Sequence, residues 1–116
     1  MHSIIILSDV EDYLNSRLPK GHREKIEDFI QLLKINDGIL DQPYSKYLGS
    51  KIGELRVNFG ELDHRILFTI LPDKKILLLI AYKKKSKKVG PKTINKAVSL
   101  RNCYLRTLNS KKMKKK

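Results

Sequence analysis

Residues 54–83 read ELRVNFGELDHRILFTILPDKKILLLIAYK, and their hydrophobic pattern predicts three consecutive β-strands. In the first strand apolar residues alternate with polar ones, which is the period of a strand with two different faces. Gly60-Glu61 and Pro72–Lys74 have the composition of turns, so the segment predicts two successive hairpins. The last strand, 75–83, is almost entirely apolar, and such a strand belongs in the middle of a sheet that is covered on both sides.

Hairpin geometry predicts which side chains share a face of this sheet. A two-residue first turn pairs Arg56 with Arg65. The second turn then puts Arg65 opposite Tyr82, and Lys84 lies two residues further along on the same face. A four-residue first loop would shift the pairing but leave both arginines on one face, whereas an odd loop would separate them. The other face, which packs on helices, is expected to carry Leu55, Val57, Phe59, Ile66 and Phe68.

The N-terminal third has helical rather than strand periodicity. After a short apolar strand at 4–7, the S-x-x-E spacing of Ser8 and Glu11 predicts a capping box at the start of a first helix. A second helix is expected over about 21–36, where apolar residues recur every three or four positions. The segment 39–50 is interpreted as a connection, and the two helices as an antiparallel hairpin.

A last helix is expected from Pro91, because proline suits the first turn of a helix. The predicted class is therefore α+β, in the order β-α-α-β-β-β-α, with a small curled antiparallel sheet packed on the N-terminal helical hairpin and a C-terminal helix near its other side. We assign residues 1–109 to a single domain and expect the basic segment 110–116 to be a disordered tail.

The charge of the chain is strongly uneven. Its net charge is +13, but all 12 acidic residues lie between Asp9 and Asp73. Residues 1–73 hold 9 Lys/Arg against 12 Asp/Glu, a net of −3, whereas residues 74–116 hold 16 Lys/Arg and no acid, a net of +16. Such a concentrated cation favours a polyanionic partner, with nucleic acid as the leading candidate. An anionic membrane surface or an acidic protein is a weaker alternative, and the terminal lysines can equally serve solubility alone.

Several other classes of function are disfavoured. Cys103 is the only cysteine, which excludes an internal disulfide and suits a reducing cytoplasm. The N-terminus lacks the basic start of a signal peptide and no apolar stretch is long enough to span a bilayer, so we expect a cytoplasmic protein without membrane association. The 3 histidines have no metal-ligand spacing and no glycine-rich phosphate loop occurs, so we expect neither a metal nor a cofactor.

The two arginines predict a phosphate site. Like charges that face each other across a hairpin repel, and an anion between them removes that cost. We therefore expect Arg56 and Arg65 to bind phosphate, and the alternative is that they form ion pairs with acidic neighbours. Those neighbours are Glu54, Glu61 and Asp63.

Lysines are concentrated directly after the third strand, where Tyr82–Lys88 holds 5 lysines among 7 residues. A dense cationic cluster lowers the pKa of a lysine, so Lys83 or Lys84 can act as an acid or base. The remaining contacts with RNA are expected to be electrostatic and to come from Lys85, Lys87, Lys88, Lys46 and Lys51.

The ordered set of motifs resembles a known family over about residues 10–105. The similarity is to the phage-derived HigB-like branch of the RelE/ParE superfamily of type II toxin–antitoxin systems. The motifs that carry it are Gly53-Glu54-Leu55-Arg56-Val57, His64-Arg65-Ile66, Ala81-Tyr82-Lys83-Lys84, and Pro91 followed by Ala97. Departures from the pattern are Tyr82, where phenylalanine is commoner, and the inserted Gly90.

This resemblance implies a RelE-like fold and a toxin that enters the ribosomal A site and cleaves translated mRNA. It also implies a HigA-like helix-turn-helix antitoxin as partner, with operator DNA bound only through the complex of toxin and antitoxin. By position, it implies functional roles for Arg56, Arg65, Lys83 and Lys84, with Tyr82 adjacent.

Such a toxin would cut RNA without a metal, through attack of the 2′-hydroxyl on the adjacent phosphate. Arg56 and Arg65 would stabilise the charge on the phosphorane, Lys84 or Lys83 would be the acid or base, and Tyr82 would stack on a base or assist proton transfer. We expect Arg65→Ala to abolish toxicity and leave the fold intact. Two alternatives stay open: a ParE-like toxin that poisons gyrase with the same fold, and a non-catalytic basic module that binds nucleic acid.

Overall fold

The computed structural model of the chain describes residues 2–84 and 90–114, without the side chains of 109–114. Five strands form one open sheet in the order β1-β5-β4-β3-β2, and helices lie on both of its faces. The elements in chain order are β1 (Ser3–Ile6), α1 (Ser8–Leu14), α2 (His22–Ile35), β2 (Ser45–Gly49), β3 (Ile52–Phe59), β4 (Leu62–Leu71), β5 (Lys75–Lys83) and α3 (Pro91–Lys114). The predicted α+β class is confirmed.

Two features of the sheet differ from the sequence-based prediction. The segment interpreted as a connection, 39–50, contains the edge strand β2, which pairs antiparallel with β3. Ser50 and Lys51, which join the two strands, have positive φ angles of 54° and 66°. Two-residue hairpin turns with positive φ at both positions normally contain Asn-Gly or Asp-Gly, so the Ser50-Lys51 sequence did not indicate a hairpin. In addition β1 pairs parallel with β5, so only β2–β5 form the predicted antiparallel sheet.

The core consists of two layers, one on each face of the sheet. On one face α1 and α2 pack with Val10, Leu14, Ile26, Ile30 and Leu33 against Leu55, Val57, Ile66 and Phe68. On the other face α3 packs around Ala97 against Leu67, Leu77 and Leu79. The face predicted to pack on helices is therefore confirmed for Leu55, Val57, Ile66 and Phe68, whereas Phe59 is 38% exposed and lies outside this core layer. As expected, β5 lies inside the sheet. Each fully buried Leu or Ile side chain contributes about 1.5–3 kcal/mol through the hydrophobic effect.

A β-bulge in β5 decides which face the end of this strand presents. Near the turn Phe68 pairs with Leu78, but the next pair is Leu67 with Ile80, so Leu79 is an extra residue. Leu79 and Ile80 both belong to the core layer beneath α3, which breaks the strict alternation of a strand. Because of the bulge, Arg65 pairs with Tyr82 as predicted. Without the bulge, the register set at the turn would pair Arg65 with Ala81 instead.

The helix ends also depart in part from the sequence prediction. The expected capping box of Ser8 and Glu11 is wrong, because Leu7 occupies the N-cap position and α1 has no side-chain cap. The carbonyl of Leu7 instead accepts the backbone N–H groups of Val10 and Glu11, each at 3.1 Å. Helix α3 begins at Pro91 as predicted and runs to Lys114, so it extends into the basic segment for which disorder was expected. Lysine is a good helix former, which is consistent with this extension.

Candidate functional site

A buried carboxylate lies at the centre of the predicted arginine face. Oε1 of Glu54 accepts hydrogen bonds from Nε of Arg56 at 2.9 Å and from Nη1 of Arg65 at 2.8 Å. The hydroxyl of Tyr82 donates a longer hydrogen bond of 3.4 Å to Oε2 of the same carboxylate. Glu54 is only 1% exposed. The three predicted site residues Arg56, Arg65 and Tyr82 therefore converge on a carboxylate that water barely reaches. We call Glu54, Arg56, Arg65 and Tyr82 the Glu54 cluster.

Strand register explains why these side chains meet. Arg56, Arg65 and Tyr82 are direct partners across β3, β4 and β5, so they form one row on the face beneath α3. Glu54 lies two residues before Arg56 on the same strand, so it shares this face and is a diagonal neighbour of Arg65. The predicted face is therefore found in the structure, and the hairpin between Phe59 and Leu62 has the two-residue turn that was considered first.

The charge of Arg65 is fully engaged by acidic partners. Besides the bond to Glu54, its Nε and Nη2 donate to the two carboxylate oxygens of Asp63 at 2.9 and 2.7 Å. Burial disfavours the charged form of Arg65, but Asp63 and Glu54 outweigh it and raise the pKa of Arg65 above its ordinary value. The hydrogen bonds from Arg65 in turn lower the pKa of Asp63. Arg65 thus realises the alternative that the sequence left open, an arginine held in ion pairs.

This face also carries cations that are more accessible than Arg65, one within the Glu54 cluster and two beside it. The side chain of Arg56 is 23% exposed. Lys84 is half-buried, its backbone N–H donates to the carbonyl of Asp63 at 2.8 Å, and its charge contributes to the lowered pKa of Asp63. Lys46 on β2 is exposed and pairs with Glu54 across the strands, so it joins the same face. Within the described part of the chain, Arg56, Lys84 and Lys46 are therefore positive groups that a polyanion can reach at this face.

Tyr82 is held in its neutral form. Burial and the nearby charge of Glu54 raise the pKa of the Tyr82 hydroxyl to about 12. At neutral pH this hydroxyl can donate a hydrogen bond but is not a phenolate base.

Not all of the predicted residues come together. Lys83 pairs with His64, so the register places it on the opposite face, next to the helical hairpin and away from the two arginines. Lys51 lies in the turn between β2 and β3, beside an apolar cleft of about 380 Å³ between the end of α2 and β2. Lys85, Lys87 and Lys88 lie outside the described residues.

Sequence reasoning treated Glu54 and Asp63 only as possible ion-pair partners, and the structure makes them part of the site. The signal was present in the chain: Glu54-Leu55-Arg56 and Asp63-His64-Arg65 both have an acid two residues before an arginine. On a strand, residues two apart lie on the same face, so this spacing predicts each carboxylate beside its arginine.

A second polar group is buried on the opposite face of the sheet. His64 is completely buried; its Nδ1 lies 2.6 Å from the hydroxyl of Tyr13 and its Nε2 lies 2.9 Å from Nδ1 of His22. The ring of His22 also stacks on Phe59 at 4.7 Å between ring centres. These contacts tie α1 and α2 to β4, so His64 has a structural role in packing the helices on the sheet.

Within residues 2–84 and 90–114, no group of three or more His, Cys, Asp or Glu side chains is placed to hold a metal ion. None of the helices in the described part of the chain is long and apolar enough to cross a membrane.

Comparison with known proteins agrees with the fold. Residues 12–102 match the model of a family described as Phage derived protein Gp49-like (DUF891). The structure is similar to the crystal structure of the archaeal RelE-RelB complex from Pyrococcus horikoshii OT3, with a TM-score of 0.56 and 21% sequence identity, over 75% of this chain and 98% of that chain. No curated protein shows a significant match in sequence. The predicted phage-derived family and the RelE-like fold are thus confirmed, while the HigB-like branch stays a prediction.

Proposed function

This chain belongs to the phage-derived Gp49-like family, and on that basis we propose that it is the toxin of a type II toxin–antitoxin system that cleaves mRNA without a metal. The similarity in fold to RelE supports the proposal. The observation that carries it is the row of Arg56, Arg65 and Tyr82 around buried Glu54, with Lys84 at its margin. In this row Arg56 is the partly exposed arginine, and together with Lys84 it supplies cations on one face of the sheet that suit the stabilisation of charge on a phosphate.

The proposed reaction uses the 2′-hydroxyl of RNA as nucleophile. This hydroxyl loses its proton to a water molecule as it attacks the adjacent phosphate, and a charged phosphorane forms. The bond from phosphorus to the 5′-oxygen then breaks, that oxygen gains a proton, and a 2′,3′-cyclic phosphate remains. Arg56 is suited to stabilise the phosphorane, since its side chain is partly exposed. Lys84 is suited to donate the proton, because its backbone bonds to Asp63 and its charge acts on the Asp63 carboxylate, which binds Arg65. Lys83 pairs with His64 on the other face. Tyr82 is neutral near pH 7 and is not a phenolate base, so we assign to this residue hydrogen bonding or stacking on a base.

The proposed partners follow the same reasoning. The similar archaeal RelE was crystallised in complex with RelB, which supports an antitoxin as partner of this chain. We propose a HigA-like antitoxin and an mRNA bound in the ribosomal A site. The net charge of +16 over residues 74–116 supports an RNA-rich partner such as the ribosome.

Induced expression in bacteria, with sequencing of the 5′ ends of cellular transcripts, tests this function. We expect growth arrest and new 5′ ends inside coding regions, and we expect both to be lost in Arg56→Ala. Arg17→Ala, which removes an exposed arginine far along the sequence from the Glu54 cluster, is the matched control and should retain both.

Two other results would replace the proposal. Growth arrest with intact transcripts would favour a toxin that acts on gyrase. An absence of arrest, combined with salt-dependent binding of RNA, would favour a non-catalytic module.

A further inference from the structure

We propose that Glu54 is a positioning residue that orients the guanidinium of Arg56 toward the phosphate, while Arg65 is the buried counter-ion of Glu54 and does not contact RNA. This inference rests on the proposed function, because it assigns roles within the same site. It replaces the interpretation of Arg56 and Arg65 as two equivalent phosphate ligands.

Glu54 and Arg65 form a buried ion pair. A carboxylate that is 1% exposed is tolerated only if its charge is paired and hydrogen-bonded. Arg65 supplies this pairing at 2.8 Å and is itself only 5% exposed. Its Nε and Nη2 are bound to Asp63, so each of the three guanidinium nitrogens already donates to a carboxylate.

Arg56 is bound differently. Its Nε donates to Glu54, and among the described residues this is the only nitrogen of its guanidinium that forms a hydrogen bond. The edge made by Nη1 and Nη2 is therefore unengaged, on a side chain that is partly exposed. Two parallel N–H donors on one edge are the geometry in which arginine binds a phosphate with two hydrogen bonds.

Glu54 also permits the two arginines to lie side by side. Arg56 and Arg65 are direct partners across β3 and β4, and like charges in that position repel. One oxygen of Glu54 accepts from both, which offsets the repulsion and fixes the plane of the Arg56 guanidinium. Without this negative charge Arg56, the more exposed of the two, would turn into solvent and lose its orientation.

Exchange of the arginine Nε–H protons, measured by nitrogen-15 NMR, tests the positioning without relying on activity. In Glu54→Gln we expect the Nε–H of Arg56 to exchange with water about tenfold faster than in the wild type or more. The Nε–H of Arg65 should change less, because it is bound to Asp63. Glu61→Gln neutralises an exposed carboxylate of the same hairpin and is the control, in which exchange at Arg56 should not change. Unchanged exchange at Arg56 in folded Glu54→Gln would overturn the positioning role.

Two conservative variants decide the roles of the arginines even where Glu54→Gln does not fold. In Arg56→Lys we expect kcat on ribosome-bound mRNA to fall about 100-fold with a nearly unchanged KM and thermal midpoint, because lysine lacks the fork. In Arg65→Lys we expect a lowered thermal midpoint, but kcat within about threefold of the wild type at temperatures where the protein is folded. The reverse pattern would identify Arg65 as the phosphate ligand and overturn the proposal.

Failure of the proposed function itself gives a different result, namely a wild-type protein that does not cleave RNA. A titration with a short single-stranded RNA then decides the inference through the same NMR signals. A shift of the Arg56 Nε–H without a shift of the Arg65 Nε–H would support it, and a shift at Arg65 of equal or larger size would overturn it.

Discussion

Nη1 of Arg65 lies 2.8 Å from Oε1 of Glu54, and both side chains are almost completely buried on one face of the sheet. An ion pair in this position behaves unlike one at the surface, because removal of one partner leaves an uncompensated charge away from water. A variant of Arg65 can therefore lose activity because the protein unfolds, so its stability has to be measured beside its activity.

We expect Arg65→Ala to destabilise the protein by about 3–5 kcal/mol, because the buried carboxylate of Glu54 loses its buried counter-ion. This revises the sequence-based expectation that the variant would keep an intact fold. Urea unfolding followed by circular dichroism measures the change. Arg23→Ala, which removes an exposed ion pair between neighbouring turns of α2, is the comparison and should change the unfolding free energy far less. If Arg65→Ala were as stable as Arg23→Ala, the buried ion pair would have no structural role.

The burial of His64 predicts that stability falls in mild acid. Burial lowers the pKa of His64, and electrostatic interactions with His22 and Lys83 lower it further, against a smaller opposite effect of Asp63. The folded protein therefore binds fewer protons than the unfolded chain, in which the histidine pKa is about 6.5. The stabilisation is present above that pH and is lost as the pH falls through the lower pKa of the folded state.

Unfolding free energies measured in urea from neutral pH downward test this dependence. His64→Gln should be less stable at neutral pH but should show a flatter dependence on pH, since it cannot gain the proton. His2→Gln, which removes a histidine near the N-terminus with an exposed partner, should retain the slope of the wild type. An equal slope in wild type and His64→Gln would mean that another group titrates.

The close contact of Gly53 with Phe68 predicts a steric effect in the core. A Cβ added to Gly53 would lie 2.5 Å from Cζ of Phe68, which is a buried ring of the helix-packed layer. We expect Gly53→Ala to destabilise the protein by about 1–3 kcal/mol through overpacking. Gly90→Ala, where an added Cβ meets no atom of the described residues within 4 Å, is the control for thermal unfolding. Equal midpoints for the two variants would show that Phe68 moves aside without cost.

The raised pKa of Tyr82 predicts that its hydroxyl does not titrate near neutral pH. Because that pKa is about 12, Tyr82→Phe should leave the shape of the profile of kcat against pH unchanged between roughly pH 6 and 9. The size of kcat should fall only modestly, since one long hydrogen bond to Glu54 is lost. Loss of an alkaline limb in Tyr82→Phe would contradict the neutral state assigned to this residue.

The sequence by itself determined the features that depend on local periodicity. Alternation along β3 and β4 was enough to place Arg56 and Arg65 on one face and to separate that face from the one that packs on α1 and α2. Their direct pairing follows from a two-residue turn at Gly60-Glu61, the first of the two loops considered. These relations follow from a period of two and from the geometry of one hairpin, which no distant contact has to supply.

Other features were decided by the tertiary structure. The bulge at Leu79 places Tyr82 beside Arg65, and it arises where β5 must fill the core layers of both α3 and the helical hairpin. The edge strand β2 forms because β3 offers it a partner, although its turn lacks the usual residues. The choice between free and ion-paired arginines depended on burial: Glu54 and Arg65 lie where water is excluded, and an unpaired charge is not stable there.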